Sequence, residues 1–199
     1  MEINFEILPQ IKRALDDMGF ESLTEIQQKT IPLILEGKDV IGKSQTGSGK
    51  TIAFGVPAVS AVDKELNKKF TQVLVLVPTR ELAVQACSEI RKLMKYTHDI
   101  KTVAIYGGQM LSKQVPLMRQ GSQIVVGTPG RVMDHINRKT LPMSFRSTAS
   151  QDFLVENRAK SSLWTICGKP SQPFDIHKFY TFSTVLSTRR ILQHFSFML

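Results

Sequence analysis

Four short runs of mainly apolar residues recur along the first part of the chain, at residues 39–42, 73–77, 102–106 and 123–127. Runs of this length without polar alternation are typical of strands buried on both faces of a sheet. Between the runs, hydrophobic positions return at intervals of three and four, which predicts helices. The clearest case is Leu82, Ala83, Ala86, Ile90, Leu93 and Met94. This alternation predicts an α/β domain with a parallel sheet flanked by helices.

Two further helices are predicted ahead of the first strand, over Pro9 to Met18 and Thr24 to Leu35, with Gly19 between them. The pattern changes at about Leu141. Residues 141–199 contain one glycine, seven of the eleven phenylalanines and no β-α rhythm. We therefore separate residues 1–140 from an irregular, unassigned C-terminal segment. This segment is either a small subdomain or a sequence foreign to the first part, such as an out-of-frame or fused end.

Composition sets broad limits on the protein. A chain of 199 residues with 42% hydrophobic residues can bury one sizeable core. The formal net charge of +9 suits a polyanionic partner, although charge alone gives only non-specific attraction. The acidic N-terminal residues lack a secretory pattern, so a cytoplasmic protein is expected. Arg189 and Arg190 interrupt the apolar C-terminal end, which leaves no uncharged span of about 18 residues for a membrane.

Cysteine and histidine spacing predicts no metal centre. Cys87 and Cys167 are far apart and form no Cys-x-x-Cys pattern. Cys87 falls on the apolar stripe of a predicted helix, so a reduced, structural thiol is expected. The histidines are predicted to be packing or surface residues, at His98, His135, His177 and His194.

A candidate phosphate-binding loop follows the first strand. It consists of Ser44, Gln45, Thr46, Gly47, Ser48, Gly49, Lys50 and Thr51. The glycines permit a tight turn in which backbone N–H groups converge on phosphate oxygens. The following helix would present its positive N-terminus, with Lys50 reaching the β and γ phosphates and Thr51 ligating Mg²⁺. Ser44 stands where the general pattern has glycine, and the alternative is a glycine-rich structural turn.

Three later loops follow the remaining strands. They are Pro78, Thr79 and Arg80; Gly107 and Gly108; and Thr128, Pro129, Gly130 and Arg131. Ligands of parallel sheets bind at the carboxyl ends of the strands, where all of these loops fall. Hydroxyls, arginines and a helix start suit the phosphates of a nucleic-acid backbone. Few aromatic residues precede residue 140, so sequence-independent recognition is expected. Each loop alone would be an ordinary helix cap.

These elements, in this order, resemble the first RecA-like domain of DEAD-box ATP-dependent RNA helicases, a P-loop NTPase fold. The resemblance covers about residues 5 to 140. It implies that residues 44–51 are motif I and bind ATP with Mg²⁺. It implies RNA-backbone contacts for motif Ia (78–83), the GG element (107–108) and motif Ib (128–131). It also implies a Q motif in which Gln27 recognises adenine, after Phe20, with Phe5 as the upstream aromatic.

The sequence departs from the family where hydrolysis is concerned. A D-E-A-D tetrad is absent from the chain, and Ser147, Thr148 and Ala149 are not the family's S-A-T in order. In the family, the tetrad aspartate helps hold Mg²⁺ and the glutamate positions the attacking water. The acids after Asp134 are Asp152, Glu156 and Asp175, and we assign none of them that role. The family's arginine fingers lie on a second domain and are worth roughly 10³ to 10⁵ in rate in comparable reactions.

The sequence therefore predicts a truncated helicase fragment that keeps Lys50 and Thr51 but has negligible turnover by itself. Whether the chain is an enzyme stays open. Two alternatives remain, a non-catalytic module that binds ATP or RNA and a degenerate product without function. The missing tetrad strand also threatens the fold, because the sheet would lose a partner beside the phosphate loop. Residues of the phenylalanine-rich end could fill that gap, and otherwise aggregation is expected.

Overall fold

The structure is a computed structural model that describes residues 3–38, 40–44, 47–65, 70–142, 153–156 and 164–167. The helices are α1 (Pro9–Asp17), α2 (Glu25–Leu35), α3 (Lys50–Ser60), α4 (Arg80–Leu93), α5 (Leu111–Arg119) and α6 (Pro129–Asn137). The strands are β1 (Val40–Lys43), β2 (Val73–Leu76), β3 (Thr102–Ile105), β4 (Ile124–Gly127), β5 (Phe153–Glu156) and β6 (Trp164–Cys167). The predicted first four strands and first two helices are confirmed to within one or two residues.

The strands form one sheet in the order β1-β5-β6-β2-β4-β3. Strand β4 lies between β2 and β3 and is parallel to both. Strand β5 is parallel to β1, whereas β6 is antiparallel to both β5 and β2. Strands β1 to β4 therefore share one direction. Their carboxyl ends meet at the same edge of the sheet, which we call the carboxyl edge.

Helices cover both faces of the sheet, as the apolar strands predicted. Val73 and Val75 of β2 pack into a cluster with the buried side chains of α1 to α4. Leu74 of β2 faces the other way, into a cluster with Met118 of α5 and Val132 of α6. Burying a side chain of this kind contributes roughly 1.5–3 kcal/mol relative to leaving it exposed. The two faces therefore fix the register of the strand, since a shift by one residue would exchange them.

Two strands come from the segment after residue 141 and lie between β1 and β2. Register pairs Val40 with Phe153 and Lys43 with Glu156 on one side, and Val75 with Ile166 on the other. The gap expected in the sheet is thus filled from the phenylalanine-rich end, because unpaired backbone groups there would be costly. Strands β2, β3 and β4 confirm the predicted parallel sheet flanked by helices, and β6 adds one antiparallel strand to it. The boundary at residue 140 and the origin of the segment stay predictions.

Several single-residue predictions can be compared with the described residues. Cys87 is buried on α4 with a free thiol, and burial raises its pKa. His135 is also buried, as a packing residue. No helix among the described residues is both long and apolar enough to cross a membrane. Cys167 lies in β6, and His177 and His194 lie outside the described residues.

Candidate nucleotide and nucleic-acid site

The phosphate loop joins β1 to α3 at the carboxyl edge. Gly47 and Gly49 adopt left-handed backbone angles, with φ of 80° and 85°. Gly49 is the residue that caps α3, so the first N–H groups of that helix face the loop. Gln45 and Thr46 lie outside the described residues. The geometry is that of a strand, a glycine turn and a helix start, which is the arrangement that an anion site requires.

Lys50 is folded into this loop. Its ammonium group donates to the carbonyl oxygen of Ser44 at 2.8 Å and lies 3.4 Å from the hydroxyl oxygens of Ser44 and Ser48. Those hydroxyls are hydrogen-bonded to each other at 2.6 Å. The residue is 8% exposed, and burial lowers the pKa of its amine. A phosphate would therefore supply oxygens in exchange for these protein contacts. Thr51 is half-buried in the first turn of α3.

Gln27 fastens α2 to the phosphate loop. Its amide oxygen accepts from the Thr24 N–H at 2.9 Å, and its amide nitrogen donates to the Gly49 carbonyl at 3.0 Å. The Thr24 hydroxyl donates to the Ser48 carbonyl at 2.8 Å. Gln27 is fully buried. Adenine recognition by Gln27 stays a prediction.

Phe5 and Phe20 are half-buried and pack against the core cluster beneath α1 to α4. Packing against this cluster gives both rings a structural role. The adenine contact expected of Phe5 and Phe20 stays a prediction.

The loop after β2 is exposed at residues 78–80. Thr79 caps α4, and its hydroxyl accepts from the Leu82 N–H at 3.3 Å. The Arg80 side chain is 58% exposed and pairs with Glu81 at 3.5 Å. Arg80 also lies beside the loop after β3, since a Cβ on Gly108 would be 3.4 Å from its Nη1 atom. The structure thus brings motif Ia and the GG loop, Gly107–Gly108, into contact.

The loop after β4 leads into α6 as predicted, whereas its arginine is largely buried. Thr128 is the residue that caps α6, but its side chain makes no capping hydrogen bond. Pro129 is half-buried and Gly130 is exposed. The Arg131 side chain is 10% exposed, with its Nε atom 3.6 Å from the Asp134 carboxylate. RNA contact by Arg131 stays a prediction, and its burial favours an indirect role.

Arg131 enters a buried polar network that sequence reasoning missed. Its Nη1 atom donates to the backbone carbonyl of Gln109 at 2.7 Å and to the side-chain oxygen of Gln114 at 3.0 Å. Gln114 is fully buried on α5. No pattern in the sequence marks Gln114, because a lone glutamine in a predicted helical segment is unremarkable. Thr24 could have been found, since Thr24-x-x-Gln27 is a capping-box pattern.

A broad, open groove of about 760 Å³ adjoins the GG loop. Its walls include Arg80, Val84, Tyr106, Met110 and Lys113. Val84 and Met110 are large exposed apolar residues, with 48% and 64% of their surfaces accessible. The groove therefore extends the exposed surface of motif Ia along α4 and α5.

Acidic side chains do not gather at the described part of the phosphate loop. No group of three or more His, Cys, Asp or Glu residues that could hold a metal occurs among the described residues. One acidic residue has its backbone beside the start of the phosphate loop. This residue is Glu156, which ends β5 and is in register with Lys43, the residue directly before the loop. The residues that follow it are Asn157, Arg158, Ala159 and Lys160 instead of the tetrad.

Known proteins that resemble this chain show the family to which its fold belongs. The family profile described as DEAD/DEAH box helicase matches residues 24–154. The ATP-dependent RNA helicase CshA of Listeria monocytogenes is 47% identical over 148 residues, which span 74% of this chain and 28% of that protein. The ATP-dependent RNA helicase DeaD of Escherichia coli is 50% identical over 134 residues, which span 67% of this chain and 21% of that protein.

A solved structure agrees with the sequence matches. The DEAD box protein from the hyperthermophile Methanococcus jannaschii superposes with a TM-score of 0.66 at 36% identity. The match covers 77% of this chain and 40% of that one. Together with the strand order and the helices on both faces, it confirms the RecA-like fold.

Proposed function

Because the chain belongs to the DEAD/DEAH box helicase family, we propose that it binds ATP with Mg²⁺ at residues 44–51 and the backbone of RNA at the neighbouring loops. The observation that carries the proposal is the shared carboxyl edge. The phosphate loop after β1 and the loops after β2, β3 and β4 all open on it. One ligand edge can therefore serve both a nucleotide and a strand of RNA.

The phosphate loop supports nucleotide binding through its glycines. At Gly49 a Cβ would lie 2.2 Å from the Gln27 amide nitrogen, so a side chain here would displace the hydrogen bond that ties α2 to the loop. Lys50 supplies a cation and Thr51 a hydroxyl for Mg²⁺, which would neutralise charge on the β and γ phosphates. The arrangement fits a nucleoside triphosphate and its metal, since the triphosphate itself contributes oxygen ligands.

The loops after β2 and β3 support RNA binding through exposure and contact. Arg80 is exposed and lies against Gly108, so its charge and the loop's backbone can meet the same strand. Phosphate contacts of this kind carry no sequence information. We therefore propose recognition that is independent of base sequence. Protein partners are outside what these loops indicate, and the cytoplasmic location stays a prediction.

We propose further that the chain does not hydrolyse ATP by itself. The residues after β5 lack the acids that would hold Mg²⁺ and orient water. The chain also spans only 28% and 21% of the two helicases described above, so their whole activity is not assigned to it.

Two titrations test the proposal. A fluorescent ATP analogue with Mg²⁺ should bind the chain and should lose affinity on Lys50→Ala, whereas Lys12→Ala on the exposed face of α1 should not matter. A labelled single-stranded oligouridylate should bind in a salt-dependent manner and weaken on Arg80→Ala, with Arg119→Ala as the charge-matched control. Absence of both binding events at low salt would favour a product without function.

A further inference from the structure

Gln114 holds both ends of the GG loop. Its amide nitrogen donates to the carbonyl of Tyr106 at 3.1 Å, directly before the loop. The same nitrogen donates to the side-chain oxygen of Gln109 at 2.8 Å, directly after it. Both amide hydrogens are used, and each fixes one flank of a segment that contains Gly108 at a φ of 83°.

The other half of the Gln114 amide ties the loop to α6. Its oxygen accepts from Arg131 at 3.0 Å and from the His135 ring at 3.2 Å. An amide oxygen only accepts, so the Nε2 atom of His135 carries the proton. The Nδ1 atom is hydrogen-bonded to the Thr140 hydroxyl at 2.8 Å. Gln114 thus makes the four hydrogen bonds that its amide allows while fully buried.

Arg131 closes the network from the start of α6. It donates from one nitrogen to the Gln109 backbone and to Gln114, and its side chain is 10% exposed. A guanidinium buried in this way is better placed to hold the two loops in position than to contact a ligand at the surface. We call Gln109, Gln114, Arg131 and His135 the bracket.

Resting on the proposed RNA-binding function, we propose that Gln114 is a positioning residue that sets the GG loop and the start of α6 in one fixed arrangement for the RNA backbone. Arg131 acts through the same bracket and not as a phosphate contact. Preorganised loops lose less conformational freedom on binding, so RNA affinity depends on residues that the strand does not touch.

Salt dependence separates positioning from direct charge contact. For single strands, each phosphate contact that is lost lowers the slope of log affinity against log salt by about 0.7. Arg80→Ala should reduce both affinity and slope. Gln114→Met and Arg131→Lys should weaken oligouridylate binding by about tenfold, the factor expected for a contact worth one hydrogen bond, at an unchanged slope. Arg131→Lys keeps the charge but lacks the rigid planar guanidinium that places one Nη1 atom against both Gln109 and Gln114.

Gln114→Glu tests the two halves of the amide separately. A carboxylate can still accept from Arg131 and His135 but cannot donate to Tyr106 or Gln109. Hydrogen exchange should therefore accelerate at residues 107–110 while the start of α6 stays protected. Affinity for the ATP analogue and the unfolding midpoint serve as controls for the fold, and Gln120→Met at the exposed end of α5 is the matched substitution. Gln109→Met, at a half-buried position, replaces any Gln114 variant that fails to fold.

The results decide between the claims. If the wild-type chain binds RNA and Gln114→Met binds it with the same affinity, the positioning role alone is overturned. The same holds for Gln109→Met where Gln114→Met does not fold. Arg131 would be a direct phosphate contact if Arg131→Lys kept full RNA affinity. The same conclusion would follow if Arg131→Met reduced the salt slope as much as Arg80→Ala does. Either result would overturn the positioning role. A wild-type chain that binds no oligouridylate at low salt would instead refute the proposed RNA function, and the positioning role with it.

Discussion

The energetic cost of a side chain in the phosphate loop can be measured at Gly47 and Gly49, with Gly107 of the GG loop as the control. Gly107 has no neighbouring atom within 4 Å of a built Cβ and no positive φ. Gly47 also has open space but adopts a φ of 80°. Gly49 combines a φ of 85° with a Cβ position 2.2 Å from the Gln27 amide nitrogen. Alanine should therefore add no strain at Gly107 and backbone strain alone at Gly47. At Gly49 it should add backbone strain and a steric clash with Gln27.

The magnitudes follow from these differences. Gly107→Ala should change the free energy of unfolding by less than about 0.5 kcal/mol. Gly47→Ala should cost about 1–2 kcal/mol, the penalty of the left-handed conformation with a side chain. Gly49→Ala should cost that amount plus about 1 kcal/mol for the displaced hydrogen bond from Gln27. The total is about 2–3 kcal/mol.

Urea unfolding of the full chain and its variants, followed by circular dichroism, supplies the free energies. A double mutant adds a stricter test, because Gln27→Ala removes the atom that Gly49→Ala would strike. The two changes should cost less together than the sum of their separate effects. Equal destabilisation by Gly47→Ala and Gly49→Ala, with additive behaviour toward Gln27→Ala, would refute the packing of α2 on the loop.

Further predictions concern the sheet and two titrating groups. Gly127→Ala should destabilise by about 1–3 kcal/mol in the same unfolding assay, because its Cβ would lie 2.7 Å from Ile105 and 3.0 Å from that residue's carbonyl; an unchanged midpoint would contradict the packing. Burial lowers the pKa of His135, so the unfolded chain takes up the proton first. Stability should fall as the pH drops below about 6.5 and level off below the folded-state pKa, and His135→Gln should lose this dependence. Hydrogen bonding to Lys95 lowers the pKa of Asp17, so its contribution is present above the unfolded pKa and is lost as the pH falls through the folded value. The stability difference between wild type and Asp17→Asn should therefore shrink in acid, and a difference that persists there would exclude the ion pair as its cause.

The fold up to residue 142 was readable from the sequence because its signals are local. Continuous aliphatic runs marked the strands, and hydrophobic positions at intervals of three and four marked the helices. Strand order is not local, and nothing in residues 153–167 indicated that two strands would enter the sheet between β1 and β2. The physical demand for backbone pairing predicted the gap, and the phenylalanine-rich end was the candidate to fill it, but no signal showed which of its residues would form the strands.

The site was predictable to the extent that backbone shape defines it. The glycines of the phosphate loop adopt the left-handed turn that a phosphate loop needs and Arg80 is exposed, while the ligands of both stay predictions. Arg131 illustrates the limit, since charge suggested a surface contact whereas the fold buries the side chain against Gln114. Buried polar networks join residues from separate elements, and a single sequence carries no spacing that reveals them.

The central claim is that the chain binds ATP but does not hydrolyse it. The most direct measurement is phosphate release by the purified chain with and without RNA, at a concentration where the ATP analogue is bound. We predict no release above the background of Lys50→Ala. RNA-stimulated release that Lys50→Ala abolishes would contradict the claim. If Glu156→Gln also abolished this release, the end of β5 would be identified as the source of the missing acid.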